Sequence, residues 1–137
     1  MKKLLLLALS AIMIFGCSSS YDSKVASAIK EIYGPVYPSL KKNNGTSFFL
    51  SYSGKDIVEQ KEELERLVWR IDKIVGKVNS GEQTLPLYSI GMTLKYEWET
   101  TDVIITVSSN FHFSAIEKLK AGESCDGTSI DIIVINK

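Results

Sequence analysis

The chain has 137 residues, with sixteen basic and sixteen acidic side chains, one histidine and two cysteines. That length holds one domain with a real core and leaves no room for two. A neutral, mixed charge balance supplies no electrostatic footprint for nucleic acid and no polybasic patch for anionic lipid.

Met1-Lys2-Lys3 is a short positive leader, and Leu4 to Phe15 is apolar or small except at Ser10, a run of about 12 residues. A helix crossing a bilayer needs roughly 20 apolar residues, so the run has the length and flanks of a signal-peptide core. It ends in Ile14-Phe15-Gly16-Cys17, followed by Ser18, Ser19 and Ser20. These residues resemble the lipobox of bacterial lipoproteins, with an aliphatic residue three before the cysteine and a small one immediately before it. Ile14, Gly16 and Cys17 match; Phe15 stands where a small or β-branched residue is more usual. The resemblance covers residues 1–18 only. It implies a diacylglycerol on the Cys17 thiol and cleavage just before it, so that residues 1–16 are a signal peptide.

Removing those 16 of 137 residues, Lys2 and Lys3 among them, leaves 121 residues with fourteen basic and sixteen acidic groups. Two or three acyl chains such as palmitate, at ~0.8 kcal/mol per methylene, make anchoring effectively permanent. Ser18 is not the aspartate that in this class often retains a protein in the inner membrane. The resemblance therefore implies the outer membrane, facing the periplasm, in a diderm host, and otherwise the outer face of the cell membrane. An ordinary secretory peptide is the alternative; Cys17 and Cys125 would then be free to form a disulfide. Residues 17–20 are the lipidated cysteine and a short tether, and residues 21–137 are read as one domain.

Residues 21–33 follow helical spacing, with Val25, Ala28, Ile29, Ile32 and Tyr33 on one stripe, and Gly34-Pro35 stops them. Lys41-Lys42-Asn43-Asn44-Gly45 reads as a polar turn, the Asn44-Gly45-Thr46 triplet included. Thr46 to Tyr52 reads as a strand with Phe48, Leu50 and Tyr52 on one side. Asp56 and Glu59 resemble an N-cap with its reciprocal acid. A helix over 57–78 follows, its stripe running from Ile57 through Leu64, Leu67, Val68, Ile71, Ile74 and Val75 to Val78, with Asn79-Ser80-Gly81 as its end. Trp69 lies about 160° from Ile71 on the outer side. A large aromatic there is expected to be covered by residues 21–33 or a loop; a partner-binding surface is the sharper alternative.

A loop containing Pro86 leads to the clearest strand, Met92, Leu94, Tyr96 and Trp98 alternating with Thr93, Lys95, Glu97 and Glu99. Thr100-Thr101-Asp102 turns into Val103–Val107, making an antiparallel hairpin of residues 92–109. A short helix is expected over 114–120, then a Gly/Ser/Asp-rich loop to Gly127, then a closing strand from Ile130 to Ile135. The pattern predicts an α+β fold: a small, mostly antiparallel sheet packed by one long helix and a shorter N-terminal one.

Candidate chemistry is sparse. His112, between Phe111 and Phe113, is able in principle to pair with Cys125 as base and nucleophile, with Asp126 or Asp131 orienting the ring. No local nucleophile motif accompanies them, and a surface histidine with an unrelated cysteine is the plainer reading. With Cys17 acylated, Cys125 is a lone thiol in an oxidising compartment, either buried and inert or paired with another molecule. Glu97 and Glu99 share a strand face about 7 Å apart, with Asp102 beyond, a spacing compatible with glycoside hydrolysis or a hard cation. A solvated face with Lys95 is commoner. One histidine and one free cysteine build no structural zinc site, and no phosphate-binding glycine loop or dinucleotide fingerprint is present, so no metal or other cofactor is expected.

The expectation is a small envelope lipoprotein without enzymatic activity, a protein-binding or accessory module. Its partners would be the membrane, through lipid on Cys17, and an unidentified envelope protein, with Trp69 as contact candidate. The alternatives are an envelope hydrolase using His112 and Cys125 or the acidic strand face, and a structural subunit of an envelope complex.

Overall fold

The structure, a computed structural model, describes residues 20–51, 57–87, 91–112, 121 and 128–137. Ser20 caps helix α1 (Tyr21–Tyr33): its hydroxyl accepts the Ser23 N–H at 3.3 Å, and Asp22 in the first turn suits the dipole. Gly34, at φ 86°, ends it as its sequence suggests. Strand β1 (Leu40–Lys42) then turns through Asn43-Asn44 into β2 (Gly45–Ser51). Helix α2 (Ile57–Val75) follows, then β3 (Gln83–Leu87), β4 (Gly91–Glu99), β5 (Val103–His112) and β6 (Thr128–Asn136).

The fold is α+β, with helices of 13 and 19 residues and a six-stranded, wholly antiparallel sheet among the described residues. The strand order is β1-β2-β6-β5-β4-β3, so the last strand of the chain sits between its first and second halves. Both helices pack on one face. There α1 contributes Val25, Ala28 and Ile29, and α2 Leu64, Leu67 and Ile71. The sheet meets them with Phe48, Trp98, the Val103/Ile105/Val107 row of β5 and the Ile130/Ile132/Val134 row of β6.

Several expected boundaries shift, each for a physical reason. Helix α2 stops at Val75 rather than Val78, because Gly76 takes φ 70° and its N–H closes on the Asp72 carbonyl at 2.9 Å. Lys41 and Lys42 belong to β1 rather than to a turn, and the loop containing Pro86 is strand β3. Both are edge strands, where proline and lysine are tolerated because one side needs no ladder partner. The closing strand is longer than expected, starting at Thr128 and ending at Asn136. Gly91 opens β4 where a Cβ would stand 2.0 Å from the Phe111 carbonyl oxygen, so no larger residue fits. Tyr52, Asp56 and the helix expected over 114–120 lie outside the described residues.

Two aspartates lock the helix layer to the sheet. Asp72 Oδ1 accepts the indole N–H of fully buried Trp98 at 2.7 Å, together with the backbone and side-chain amides of Asn79 at 3.1 and 3.3 Å. Asp22 accepts the Thr46 hydroxyl at 2.7 Å on one oxygen and the Asn136 amide at 3.1 Å on the other. The second contact joins the start of α1 to β2 and to the end of β6. It gathers the N-terminal linkage, the Asn43-Asn44 turn and the C-terminus at one end of the sheet, where Asn136 N–H also meets the Asn44 carbonyl and Lys137 N–H the Asp102 carbonyl.

Thr46 is buried, so removing its acceptor leaves a hydroxyl without a partner. Asp22→Ala is expected to cost about 1–3 kcal/mol in chemical denaturation. Asp102→Ala, on the exposed turn, should change stability by less than about 0.5 kcal/mol.

Candidate functional site

Helix α2 is built with two unlike faces. Its inward stripe is buried against the sheet, while its outer side carries acids in the first half and Arg66, Arg70 and Lys73 in the second, an order that suits the helix dipole. Trp69 stands among the basic residues and is 56% exposed. Among the described residues, the expected cover is absent. Helix α1 does pack against α2, but Glu31 and Ile32 only border a groove of about 440 Å³ beside the indole, with Arg66 and Arg70 on its far side. The Arg70 guanidinium lies 6.0 Å from the indole centroid and the Lys73 ammonium 5.4 Å, within cation–π range. Arg70 is also ion-paired with Glu31, tying the rim of the groove to α1.

A smaller cleft of about 270 Å³ opens between α2 and the β4 side of the sheet, with Leu64, Leu94 and Phe111 as an apolar floor and Lys61, Glu65 and Glu82 at its rim. There the Tyr96 hydroxyl donates to Glu82 at 2.5 Å. Burial first, and the Glu82 carboxylate second, push the phenol well above its ordinary range, so it stays a donor and is no proton shuttle near neutral pH. Ser109, fully buried on the same sheet face, has Leu94 and Ile130 as its cross-strand neighbours, and its hydroxyl makes no hydrogen bond; among the described residues no base pairs with it across the sheet.

Of the residues singled out in the sequence, His112 and Asp131 are described and lie apart. His112 ends β5 opposite Gly91. Asp131 lies opposite Ser108, four residues back along β5, about 13 Å away at the rise of a strand. Its carboxylate accepts the Asn110 amide at 2.8 Å and does not orient His112. Cys17, Cys125 and Asp126 lie outside the described residues.

The two acids of β4 are held by different lysines. Glu97 is bound by Lys95 at 2.8 Å, and Glu99 by Lys137 at 2.8 Å. The hydrogen bond and charge of Lys137, with a smaller pull from Lys77, hold the Glu99 carboxyl below the usual carboxylate range. A glycosidase acid needs the opposite shift. Among the described residues no group of three His, Cys, Asp or Glu side chains is placed to hold a metal ion.

The basic ring around Trp69 was legible only as spacing, since residues 66, 70 and 73 stand at i−3, i+1 and i+4 from it. The Tyr96–Glu82 contact was not legible, because it depends on β3. No family model, curated protein or solved structure matches the chain.

A depressed carboxyl pKa stabilises the fold above the ordinary carboxylate value and is lost only as pH falls through the lowered one. Lys137→Ala should therefore move the Glu99 titration, followed by NMR, upward toward the ordinary carboxylate value. An unchanged titration would mean that Lys137 is not the cause.

Proposed function

We propose that this chain is a small lipoprotein of a bacterial envelope, acylated on Cys17, which binds another envelope protein through the outer face of α2 and catalyses no reaction. The observation that carries the binding surface is Trp69, exposed on a helix whose other large apolar residues are mostly turned inward and flanked by Arg70 and Lys73. Tryptophan and arginine are the residues that most often dominate protein–protein binding energy. The open groove beside the indole suits a protruding side chain of a partner better than a small molecule, which is usually held in a concave, mostly apolar pocket.

The anchor rests on Ile14, Gly16 and Cys17. Supporting it, α1 is capped by Ser20. Cys17 stands three positions before that cap, a reach of at most about 11 Å. The end of the sheet held by Asp22 would then sit close to the headgroups. Ser23 and Lys24 border the same groove as Lys73 and Ile74, so the last turns of α2 lie at that end too. Trp69 is six residues, about 9 Å, from the last residue of α2, which puts the binding face within reach of a partner's membrane-proximal part. In a diderm host the domain would face the periplasm from the outer membrane; otherwise it would stand on the outer face of the cell membrane.

Two measurements test this reading. Cys17→Ser should release the protein from the membrane fraction in its host; unaltered membrane retention would contradict the anchor. A photo-cross-linking side chain at position 66 should capture one envelope protein in intact cells. Trp69→Ala should lower that capture at least tenfold while the far-ultraviolet circular dichroism stays unchanged. No captured envelope protein, or capture indifferent to Trp69, would contradict the binding face.

A further inference from the structure

Helices α1 and α2 cover one face of the sheet, and nothing among the described residues covers the other. By register, that second face carries Ile133 and Ile135 of β6, Ile104 of β5, Phe49 of β2 and Leu40 of β1. Ile104 and Ile135 are direct cross-strand partners, Ile133 lies opposite Ser47, and Ser47 opposite Leu40. The five side chains form one patch across four adjacent strands, with Phe49 53% and Leu40 51% exposed. A strand with one wet face alternates, yet Ile132-Ile133-Val134-Ile135 is apolar without a break, the pattern of a strand covered on both sides. No described residue supplies the second cover.

We infer that this face is a self-association surface on which a second copy of the chain packs, sheet against sheet. Its charges balance: Lys95 is paired with Glu97 and Lys137 with Glu99, while Asp131, which accepts the Asn110 amide, is offset by Lys42, placed on this face opposite Gly45. A face without net charge neither repels its own image nor selects a partner of opposite sign. The sheet edges do not suit growth. Edge strand β1 has three residues, two of them lysines, and β3 carries Pro86. The four strands of the patch have three, seven, nine and ten residues and lie about 4.8 Å apart, so they present roughly 450 Å² per copy, the size of a weak, transient interface. The pairing is therefore a reversible dimer.

The test uses the full chain in cells, in a Cys125→Ser background whose own yield sets the baseline. With Ile133→Cys, a short bismaleimide should give an adduct of twice the chain mass, well above baseline. Trp69→Cys, on the helix side, should give none. Adding Phe49→Asp should cut the adduct at least tenfold with circular dichroism unchanged, because it forces a carboxylate into an apolar contact. The proposal is overturned by an adduct with a different protein, by no adduct above baseline, by an equal yield from Trp69→Cys, or by a yield indifferent to Phe49→Asp.

Discussion

The last strand holds this molecule together. Strand β6 is the final element of the chain but lies in the interior of the sheet, between β2 and β5. Until it is in place, the β1–β2 hairpin and the β3–β4–β5 meander have no ladder in common. Its inward row, Ile130, Ile132 and Val134, is fully buried under the helices. Its end, Asn136, reaches Asp22 and so fixes where α1 begins. Pairs such as Gly45 and Ile135 are most of the chain apart, so joining them carries a large loop-closure cost that the apolar burial of β6 must offset.

From that insertion the other features follow. A central strand with isoleucines on both faces meets helices on one side and is left partly bare on the other. The Asp22 contact with Thr46 and Asn136 gathers the start of the fold, two turns and the C-terminus at a single end. Trp98, held by Asp72, fastens the last turn of α2 to β4 near that same end. The outer side of α2, with Trp69, is thereby set on a rigid base and not on a loop. Such placement suits the partner recognition proposed above, which needs a contact face held rigid.

Wherever periodicity alone decides, the sequence could be read. The alternation from Met92 to Glu99, the stripe from Leu64 to Ile71 and the Gly34-Pro35 stop each reflect local chemistry, and the structure has each of them. Edge strands were not readable, because Lys41, Lys42 and Pro86 are there to discourage pairing on the outer side and so resemble turns and loops. Strand order was hidden too, since nothing local in Thr128–Asn136 says that β2 is its neighbour. The outward direction of Trp69 followed from helical geometry. Its lack of cover did not, because an exposed indole is unusual enough that packing was the natural expectation. The separation of His112 from Asp131, and the binding of Glu97 and Glu99 by different lysines, are matters of register that spacing along one strand does not reveal.

The functional account depends on residue 17 being the first residue of the mature protein and carrying lipid. Its most direct test is the intact mass of the protein extracted from its host's membranes. The account predicts a chain beginning at Cys17, heavier than the polypeptide by a diacylglyceryl group with or without a further acyl chain. A mature chain that begins elsewhere, or bears an unmodified thiol at residue 17, would contradict it.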